Sequence, residues 1–354
     1  MPSPTDSNRL VVMITSPLEA EHAERIAAIE PARVELIYRP ELMPPPRYVA
    51  DHNGPPDWRR GSAEQQAWFD LLARAEVLWD FATGDERGPF ALSPGLRWVQ
   101  TTSAGVGPYV KRLGVAESDL IVTTASGIHA GPLTEFVFAA LLFHAKRLAT
   151  LQAWQREQHW ERYCAGELTG GTMAIVGPGR IGRRVAAVAR AFGMTVWAMG
   201  RTGDEARAAE RGVDRLFPRP HLREMLAGAD CVVLCTPHTP ETAGMIGSAE
   251  IAAMRPGVVL VNIARGSVID EEAMIAALQT GRIGFAALDV FQTEPLPAAS
   301  PLWTFPNVLI NPHSASTAFS ENERITDIFV RNLRCYIDGR FDEMSPLLDK
   351  QRGY

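Results

Sequence analysis

The sequence predicts an α/β protein with two domains, each built around a parallel β-sheet. Three observations support this fold class. The chain has 354 residues, which is long for one domain and sufficient for two. Short apolar runs of strand length alternate along it with stretches of helical spacing. Most of these runs are continuously apolar, as is typical of strands that are buried on both faces of a parallel sheet.

The first series of elements occupies the N-terminal third of the chain. The apolar run Leu10 to Thr15 ends at Ser16-Pro17, and Leu18 to Ile29 follows with apolar positions three and four residues apart. Residues 40–61 hold six prolines and two glycines, so we expect an irregular loop there. The other elements predicted in this region are strands at Val34 to Tyr38, Val77 to Phe81, Trp98 to Thr101 and Ile121 to Thr124, and a helix at Ala63 to Ala75.

A second series begins at Thr172, after a helix that has almost no polar face. Thr134 to Ala145 is apolar nearly all round, so we expect this helix to be buried on all sides, between domains or in a subunit interface. The predicted strands that follow are Met173 to Val176, Thr195 to Met199, Cys231 to Leu234, Val258 to Asn262, Phe285 to Val290 and Val308 to Ile310. The predicted helices are Ile181 to Phe192, Pro220 to Ala227, Ser248 to Met254, Glu271 to Gln279 and Glu321 to Ile337.

Composition and charge argue against several classes of function. The net charge is −6 and no basic run is present, so we expect neither a nucleic-acid partner nor a membrane anchor. Only three of the 35 basic residues are lysine, and none lies in a phosphate-binding G-x-x-x-x-G-K turn. The four cysteines form no C-x-x-C pair, and the polar N-terminus resembles no signal peptide. We therefore expect free thiols, no metal site and a cytoplasmic protein.

The strongest motif is a glycine-rich turn at residues 177–182. Gly177-Pro178-Gly179-Arg180-Ile181-Gly182 fits G-x-G-x-x-G, follows an apolar strand and opens a helix. Glycines permit the tight turn and the close approach of a pyrophosphate, and the helix N-terminus supplies free N–H groups. The motif in this context predicts dinucleotide binding and a Rossmann-like domain.

The end of the next strand predicts which dinucleotide is bound. NAD-binding domains usually place an acid there to bond the ribose 2′-hydroxyl. Here Arg201 and Thr202 stand at the end of that strand, with Arg201 24 residues after Gly177, and they suit a 2′-phosphate. We therefore favour NADP, whereas Asp204 and Glu205 follow closely enough to keep NAD as an alternative.

Three polar side chains each follow a predicted strand of the second series: Arg265, Glu294 and His313. Ligands of open parallel sheets bind at that edge. Hydride transfer to a ketone requires a proton donor, which a histidine beside a carboxylate can supply. A guanidinium can hold a substrate carboxylate with two hydrogen bonds. The three residues together predict a site that reduces an oxoacid.

These segments resemble the D-isomer-specific 2-hydroxyacid dehydrogenase family. The matching pieces are GPGRIG (177–182), CTPHTPET (235–242), VNIARGSVID (261–270), ALDVFQTEPLP (287–297) and NPHSAS (311–316). The resemblance implies that His313 is the acid/base, Glu294 its partner and Arg265 a ligand of the substrate carboxylate. It also implies that the backbone of Ala104, Gly105 and Val106 holds this carboxylate. The implied cofactor contacts are Gly177, Pro178, Gly179, Arg180, Ile181, Gly182, Arg201, Thr202, Thr236, Pro237, Thr242, Ile263, Ala264, Asp289 and His313.

The resemblance further implies a homodimer. Each subunit would have two Rossmann-like or flavodoxin-like domains. Residues 126–313 would bind the dinucleotide and be inserted in a discontinuous substrate domain made of residues 1–125 and 314–354. The expected reaction is reduction of a 2-oxoacid, such as glyoxylate, hydroxypyruvate or a larger acid, to a D-2-hydroxyacid. Two alternatives remain open on the same fold, namely a nucleotide-sensing corepressor and a phosphite-type dehydrogenase.

Overall fold

The chain forms two compact units. The computed structural model describes residues 9–82, 88–200 and 205–351. Unit 1 comprises residues 1–128 and 317–354, and unit 2 comprises residues 129–316. Each unit contains one wholly parallel sheet with its own apolar core.

Unit 1 has a five-stranded sheet in the order β2-β1-β3-β4-β5. This is the flavodoxin-like order, in which β1 and β3 are neighbours. The strands are β1 (Leu10–Ile14), β2 (Val34–Ile37), β3 (Val77–Trp79), β4 (Trp98–Gln100) and β5 (Ile121–Thr123). The helices that connect them are α1 (Ala20–Ala27), α2 (Ser62–Leu72), α3 (Pro89–Leu92) and α4 (Gly107–Arg112).

The C-terminal helix Glu321–Ile337 packs onto the sheet of unit 1. Its Phe329 is fully buried, and the ring stacks on Trp98 of β4 with 5.0 Å between ring centroids. Trp79 of β3 approaches the same ring edge-on at 5.4 Å. Burial of one such aromatic side chain contributes about 1.5–3 kcal/mol, so this helix is an integral part of the core of unit 1.

Unit 2 has a seven-stranded sheet in the order β12-β11-β10-β9-β6-β7-β8. This is the Rossmann order with one further strand, and the predicted fold class is therefore confirmed. The strands are β6 (Thr172–Val176), β7 (Thr195–Gly200), β8 (Arg215–Pro218), β9 (Cys231–Leu234), β10 (Val258–Asn262), β11 (Ile283–Leu288) and β12 (Val308–Ile310). The helices are α5 (Ala130–Ala145), α6 (Leu148–Arg156), α7 (Arg180–Ala191), α8 (Glu205–Arg211), α9 (Leu222–Ala227), α10 (Ser248–Ala253) and α11 (Glu271–Gln279).

Strand β8 is absent from the sequence-based assignment. It has four residues, begins at Arg215 and ends at Pro218, so it lacks an apolar run of its own. It is the edge strand of its sheet, the position at which a proline costs no ladder hydrogen bond. Short helices α3, α4, α6 and α8 are also absent from that assignment, and a 3₁₀ turn at Pro40–Leu42 interrupts the expected loop.

In the single chain, helix α5 is buried on fewer sides than its sequence predicts. Pro132, Leu133, Val137 and other side chains on one side are buried against unit 2. Glu135 and Ala139 are exposed on the opposite side. The expectation of burial on all sides is therefore not met by the single chain.

The described residues contain no helix that is both long enough and apolar enough to cross a bilayer. All four cysteines are free thiols. Within the same described ranges, no group of three or more His, Cys, Asp or Glu side chains is arranged to hold a metal ion.

Candidate active site

The phosphate-binding turn joins β6 to α7, and two of its glycines are required by close packing. Gly177 has φ +106°, and a Cβ there would lie 2.9 Å from the backbone N of Thr236. A Cβ at Gly182 would lie 2.5 Å from the carbonyl oxygen of Gly177. No atom lies within 4 Å of where a Cβ of Gly179 would stand, and α7 begins at the next residue. The turn is thus tightly packed at Gly177 and Gly182, and there is open space at Gly179, beside the N-terminus of α7.

Two side chains that the sequence analysis did not identify support this turn. The Cys235 thiol donates a hydrogen bond to the carbonyl oxygen of Gly177 at 3.0 Å. Burial raises the pKa of Cys235 to about 12, so the thiol stays protonated and remains a donor. The Arg211 guanidinium donates to the carbonyl oxygen of Pro178. Neither contact could be found from spacing, because the partners lie on different elements.

The segment that follows β9 contains a polar atom without a partner. Thr236 is buried beside Gly177, and its hydroxyl has no hydrogen-bond partner among the described residues. Thr242 shapes the same segment, since its hydroxyl donates to the carbonyl oxygen of Pro237 at 2.7 Å. An unsatisfied buried hydroxyl is unfavourable, and a ligand lying on the turn would remove that cost. The residues present therefore fit a dinucleotide.

Arg265 lies in a turn that follows β10. The Asn262 side chain accepts from the N–H of Ala264 at 3.1 Å, and the Arg265 guanidinium donates to the carbonyl oxygen of Ala264 at 2.7 Å. A Cβ at Gly266 would lie only 1.9 Å from the carbonyl carbon and oxygen of Phe291. The Arg265 turn is therefore pressed against the loop that follows β11.

A second contact fixes the far side of the Arg265 turn. The ring Nδ1 of His238 lies 2.9 Å from the Ser267 hydroxyl, and the carbonyl oxygen of Ser267 accepts from the N–H of Gly244 at 2.8 Å. The sequence analysis did not identify His238 or Ser267. These bonds join the 236–242 segment to the turn that carries Arg265.

Glu294 and His313, the predicted acid/base pair, lie in hydrogen-bond contact. His313 Nδ1 lies 2.7 Å from Glu294 Oε2, and Glu294 Oε1 accepts from the N–H of Phe291 at 2.9 Å. Both carboxylate oxygens are thus engaged, and Nε2 of the ring is turned away from the pair. Roughly two fifths of the His313 side chain is exposed (42%), so the ring is accessible to a substrate.

His313 has a left-handed backbone conformation, with φ +53°. Histidine is among the non-glycine residues that are enriched in this region, and local hydrogen bonds stabilise it here. The His313 N–H donates to the carbonyl oxygen of Asp289 at 2.9 Å. Asp289 Oδ1 also accepts from Asn311 Nδ2 at 2.7 Å and from the N–H groups of Ser314 and Ala315, each at 2.9 Å.

Asp289 thereby shapes the turn that presents His313, in addition to the cofactor contact that the motif implies. Burial raises the pKa of Asp289, while its hydrogen bonds and the nearby His313 act in the opposite direction. Ile263 and Ala264 are buried and offer only backbone groups to a ligand. Arg201 and Thr202 lie outside the described residues.

The predicted carboxylate-binding loop lies in unit 1, after β4. The Ser103 carbonyl oxygen accepts from the Thr101 hydroxyl at 2.7 Å and from the N–H of Ala125 at 3.2 Å. The N–H of Gly105 donates to the Ser103 hydroxyl at 3.3 Å. Within the described part of the chain, no hydrogen bond engages the N–H of Ala104 or Val106. The free N–H groups of Ala104 and Val106, on either side of Gly105, are available to an anion.

Comparison with known proteins shows the family to which the chain is similar. The sequence model described as "D-isomer specific 2-hydroxyacid dehydrogenase, NAD binding domain" matches residues 138–315. A D-3-phosphoglycerate dehydrogenase of Mycobacterium tuberculosis is 34% identical over 288 residues, covering 77% of this chain and 53% of the relative. A glyoxylate reductase of Thermococcus gammatolerans is 36% identical over 238 residues, covering 65% of this chain and 69% of the relative.

A solved structure is similar over nearly the whole chain. A D-isomer specific 2-hydroxyacid dehydrogenase from Xanthobacter autotrophicus Py2, in complex with NADPH and MES, has a TM-score of 0.74 and 27% identity. The match covers 98% of this chain and 99% of that one. This chain belongs to the D-isomer-specific 2-hydroxyacid dehydrogenase family. It spans about half the length of the phosphoglycerate dehydrogenases that it matches.

Proposed function

We propose that this chain reduces a 2-oxoacid to a D-2-hydroxyacid, using a nicotinamide dinucleotide. The observation that carries the proposal is the Glu294–His313 pair, 2.7 Å apart, in the same unit as a phosphate-binding turn. A bound nicotinamide supplies the hydride that the keto carbon receives. His313 donates a proton to the keto oxygen, so the carbonyl gains one hydride and one proton and becomes an alcohol.

Each remaining residue of the site has a binding or orienting role in this proposal. Arg265 binds the substrate carboxylate and polarises the adjacent carbonyl through its guanidinium. In unit 1, the free N–H groups of Ala104 and Val106 are the proposed ligands of a carboxylate. Glu294 orients the His313 ring and stabilises its protonated form. The buried Thr236 hydroxyl and the N-terminus of α7 hold the dinucleotide.

The dinucleotide in this proposal is NADPH in preference to NADH. No acid follows β7 at positions 201 and 202, where an arginine and a threonine stand. The relative from Xanthobacter autotrophicus was crystallised with NADPH. Arg211, at the Pro178 carbonyl, adds positive charge beside the turn. A higher kcat/KM with NADH than with NADPH would refute this preference.

The proposed assembly is a homodimer in which α5 is covered by a second copy. Glu135 and Ala139 of this largely apolar helix are exposed in the single chain. Trp160, which follows α6, is 95% exposed. Light scattering coupled to size exclusion should give twice the chain mass of 38.8 kDa. A monomer at micromolar concentration would contradict the dimer.

The reductase proposal is tested by measuring turnover of glyoxylate, hydroxypyruvate, pyruvate and phenylpyruvate with each dinucleotide. We expect reduction of at least one of them, and a loss of roughly 10²–10⁴-fold in kcat for His313→Gln. NADPH affinity should stay within twofold in that variant. No turnover across the panel, together with tight NADPH binding, would refute the reductase and favour the corepressor alternative.

A further inference from the structure

Two segments that follow neighbouring strands of unit 2 are joined by a pair of side chains. Leu234, at the end of β9, and Asn262, at the end of β10, are partners in the register of the parallel sheet. His238 stands four residues beyond Leu234, and Ser267 stands five residues beyond Asn262. Nδ1 of His238 lies 2.9 Å from the Ser267 hydroxyl. Neither the sequence motifs nor the family resemblance gives these two side chains a role.

The His238–Ser267 contact connects the dinucleotide side of the site to the substrate side. His238 stands two residues after Thr236, which lies beside Gly177 and whose buried hydroxyl has no hydrogen-bond partner among the described residues. Ser267 stands two residues after Arg265, the proposed ligand of the substrate carboxylate. Both residues of the contact are exposed, so neither is needed to fill the core. The contact therefore lies between two proposed binding groups.

The segment that presents His238 is braced by its own hydrogen bonds. The Thr242 hydroxyl accepts from the N–H of Thr239 at 2.8 Å and donates to the carbonyl oxygen of Pro237 at 2.7 Å. Pro237 and Pro240 fix two of the backbone φ angles in the same stretch. Because the segment is braced in this way, we expect it to move as a unit. A ligand that orders its N-terminal end should then also order His238.

The turn that carries Arg265 is anchored elsewhere by backbone contacts. Gly266 lies against Phe291, and the carbonyl oxygen of Ser267 accepts from the N–H of Gly244 at 2.8 Å. The Ser267 hydroxyl adds a side-chain contact, and its partner stands on the segment that begins at the dinucleotide side. A bond between two side chains can be removed by substitution while the backbone bonds of the turn remain. Its contribution can therefore be measured separately.

We propose that His238 is a positioning residue that holds the Arg265 turn through Ser267, and that it makes dinucleotide binding and substrate binding reinforce each other. The inference rests on the proposed reduction of 2-oxoacids and names a residue that acts in it through Arg265. A ligand that pairs the Thr236 hydroxyl orders the segment that carries His238. The bond to Ser267 extends that order to the turn. The second ligand then loses less conformational freedom when it binds, so its affinity is higher.

The first experiment measures this mutual effect with the full chain, NADPH and oxamate, which carries a carboxylate beside a carbonyl that resists reduction. By thermodynamic linkage, each ligand raises the affinity of the other by the same factor. Fluorescence titration with NADPH, with and without saturating oxamate, gives that factor directly. We expect His238→Ala and Ser267→Ala each to lower the factor about three- to tenfold, the range of one uncharged hydrogen bond. NADPH affinity without oxamate should stay within twofold.

Three further variants separate this role from a merely structural one. His238→Asn keeps a polar atom bonded to Cγ, where Nδ1 stands, so it should restore the factor to within twofold of the unmodified chain. The double variant of His238→Ala and Ser267→Ala should lower the factor no further than either single variant, because both remove the same contact. His221→Ala is the matched control, since His221 Nδ1 also makes an exposed 2.9 Å contact, with Glu224, outside both segments. It should leave the factor unchanged.

The second experiment is steady-state reduction of a 2-oxoacid by the same variants. His238→Ala should act mainly on KM for the oxoacid, raising it about three- to tenfold, and less on kcat. A mutual effect that is undiminished in both single variants, or absent from the unmodified chain, would overturn the role of His238 and leave the proposed function intact. A double variant that loses the sum of both single effects would do the same. No turnover of any 2-oxoacid by the unmodified chain would overturn the proposed function and this inference with it.

Discussion

Replacing Glu294 by glutamine tests whether its carboxylate contributes to proton transfer by His313. Glutamine keeps the size of the side chain, and its carbonyl oxygen can still accept from the N–H of Phe291, as Oε1 does at 2.9 Å. Its amide group would donate to His313 Nδ1, which then has to be an acceptor. The ring would be held neutral with its proton on Nε2. Neutral imidazole is a far weaker acid than imidazolium, so reduction should slow.

The magnitude follows from the geometry of the pair. A hydrogen bond to a charged group is worth about 1.5–3 kcal/mol. The His313 and Glu294 side chains are 42% and 35% exposed, so solvent screening favours the lower end of that range. A loss of about 1.5 kcal/mol corresponds to roughly tenfold in rate. The lost proton donation adds part of the roughly 10²–10⁴-fold that general acid catalysis supplies. We therefore expect kcat to fall by at least about tenfold.

The assay is steady-state oxidation of NADPH by a saturating 2-oxoacid, with NADPH affinity measured separately by fluorescence titration. Affinity should hold within twofold, because no contact of Glu294 reaches the phosphate-binding turn. Glu272→Gln is the matched control, since Glu272 lies exposed on α11 of the same unit. A Glu294→Gln enzyme whose kcat stays within threefold of the control would refute the reasoning.

The remaining predictions concern the phosphate turn, the ion pair between the exposed Arg47 and the buried Asp51, and the core of unit 1. Gly182→Ala places a Cβ 2.5 Å from the carbonyl oxygen of Gly177. Such overpacking costs about 1–3 kcal/mol, so calorimetry should show NADPH affinity about tenfold weaker, and an unchanged Kd would contradict this. For Asp51, burial opposes ionisation, but hydrogen bonds from the Arg47 side chain and three backbone N–H groups hold its pKa well below the usual value. A lowered pKa stabilises the fold above the unfolded-state pKa of about 3.9 and loses that effect as pH falls toward the folded-state value. Asp51→Asn should therefore lower the free energy of unfolding by about 1–3 kcal/mol at neutral pH. The loss should become progressively smaller below about pH 4, and urea titrations at several pH values would measure it. A loss that is independent of pH would count against the ion pair. Phe329→Ala should cost about 3–5 kcal/mol of unfolding free energy, because its ring is fully buried, and a loss under about 1 kcal/mol would be inconsistent with the packing.

Features carried by local sequence could be predicted, and features that depend on register could not. The glycine turn at 177–182 and the apolar strands are local signals, and they led to the correct fold class. The contact of Cys235 with Gly177 joins residues 58 positions apart, and its existence depends on how β6 and β9 align. Spacing along the chain carries no information about that alignment.

The candidate site shows the same division. Glu294 and His313 both follow strands of one parallel sheet, so the edge rule could predict that they lie close together. His238 and Ser267 show no joint motif, since they lie 29 residues apart on different segments. Only the pairing of Leu234 with Asn262 across β9 and β10 places those segments side by side. A polar side chain soon after a buried strand is the one local sign that each of them shows.

In unit 2, the turn that carries Arg265 and the Glu294 carboxylate both contact the backbone of Phe291. Gly266 lets the Arg265 turn lie against the carbonyl of Phe291, and the N–H of Phe291 in turn holds the Glu294 carboxylate. Because the Phe291 backbone contacts both the Arg265 turn and the Glu294 carboxylate, a shift of the turn would disturb Glu294, and a shift of Glu294 would disturb the turn. Groups held in this way need little reorganisation as charge develops on a substrate, which is the condition under which electrostatic stabilisation is strongest. The close approach at Gly266 is therefore as important to the proposed chemistry as the charged side chains that it positions.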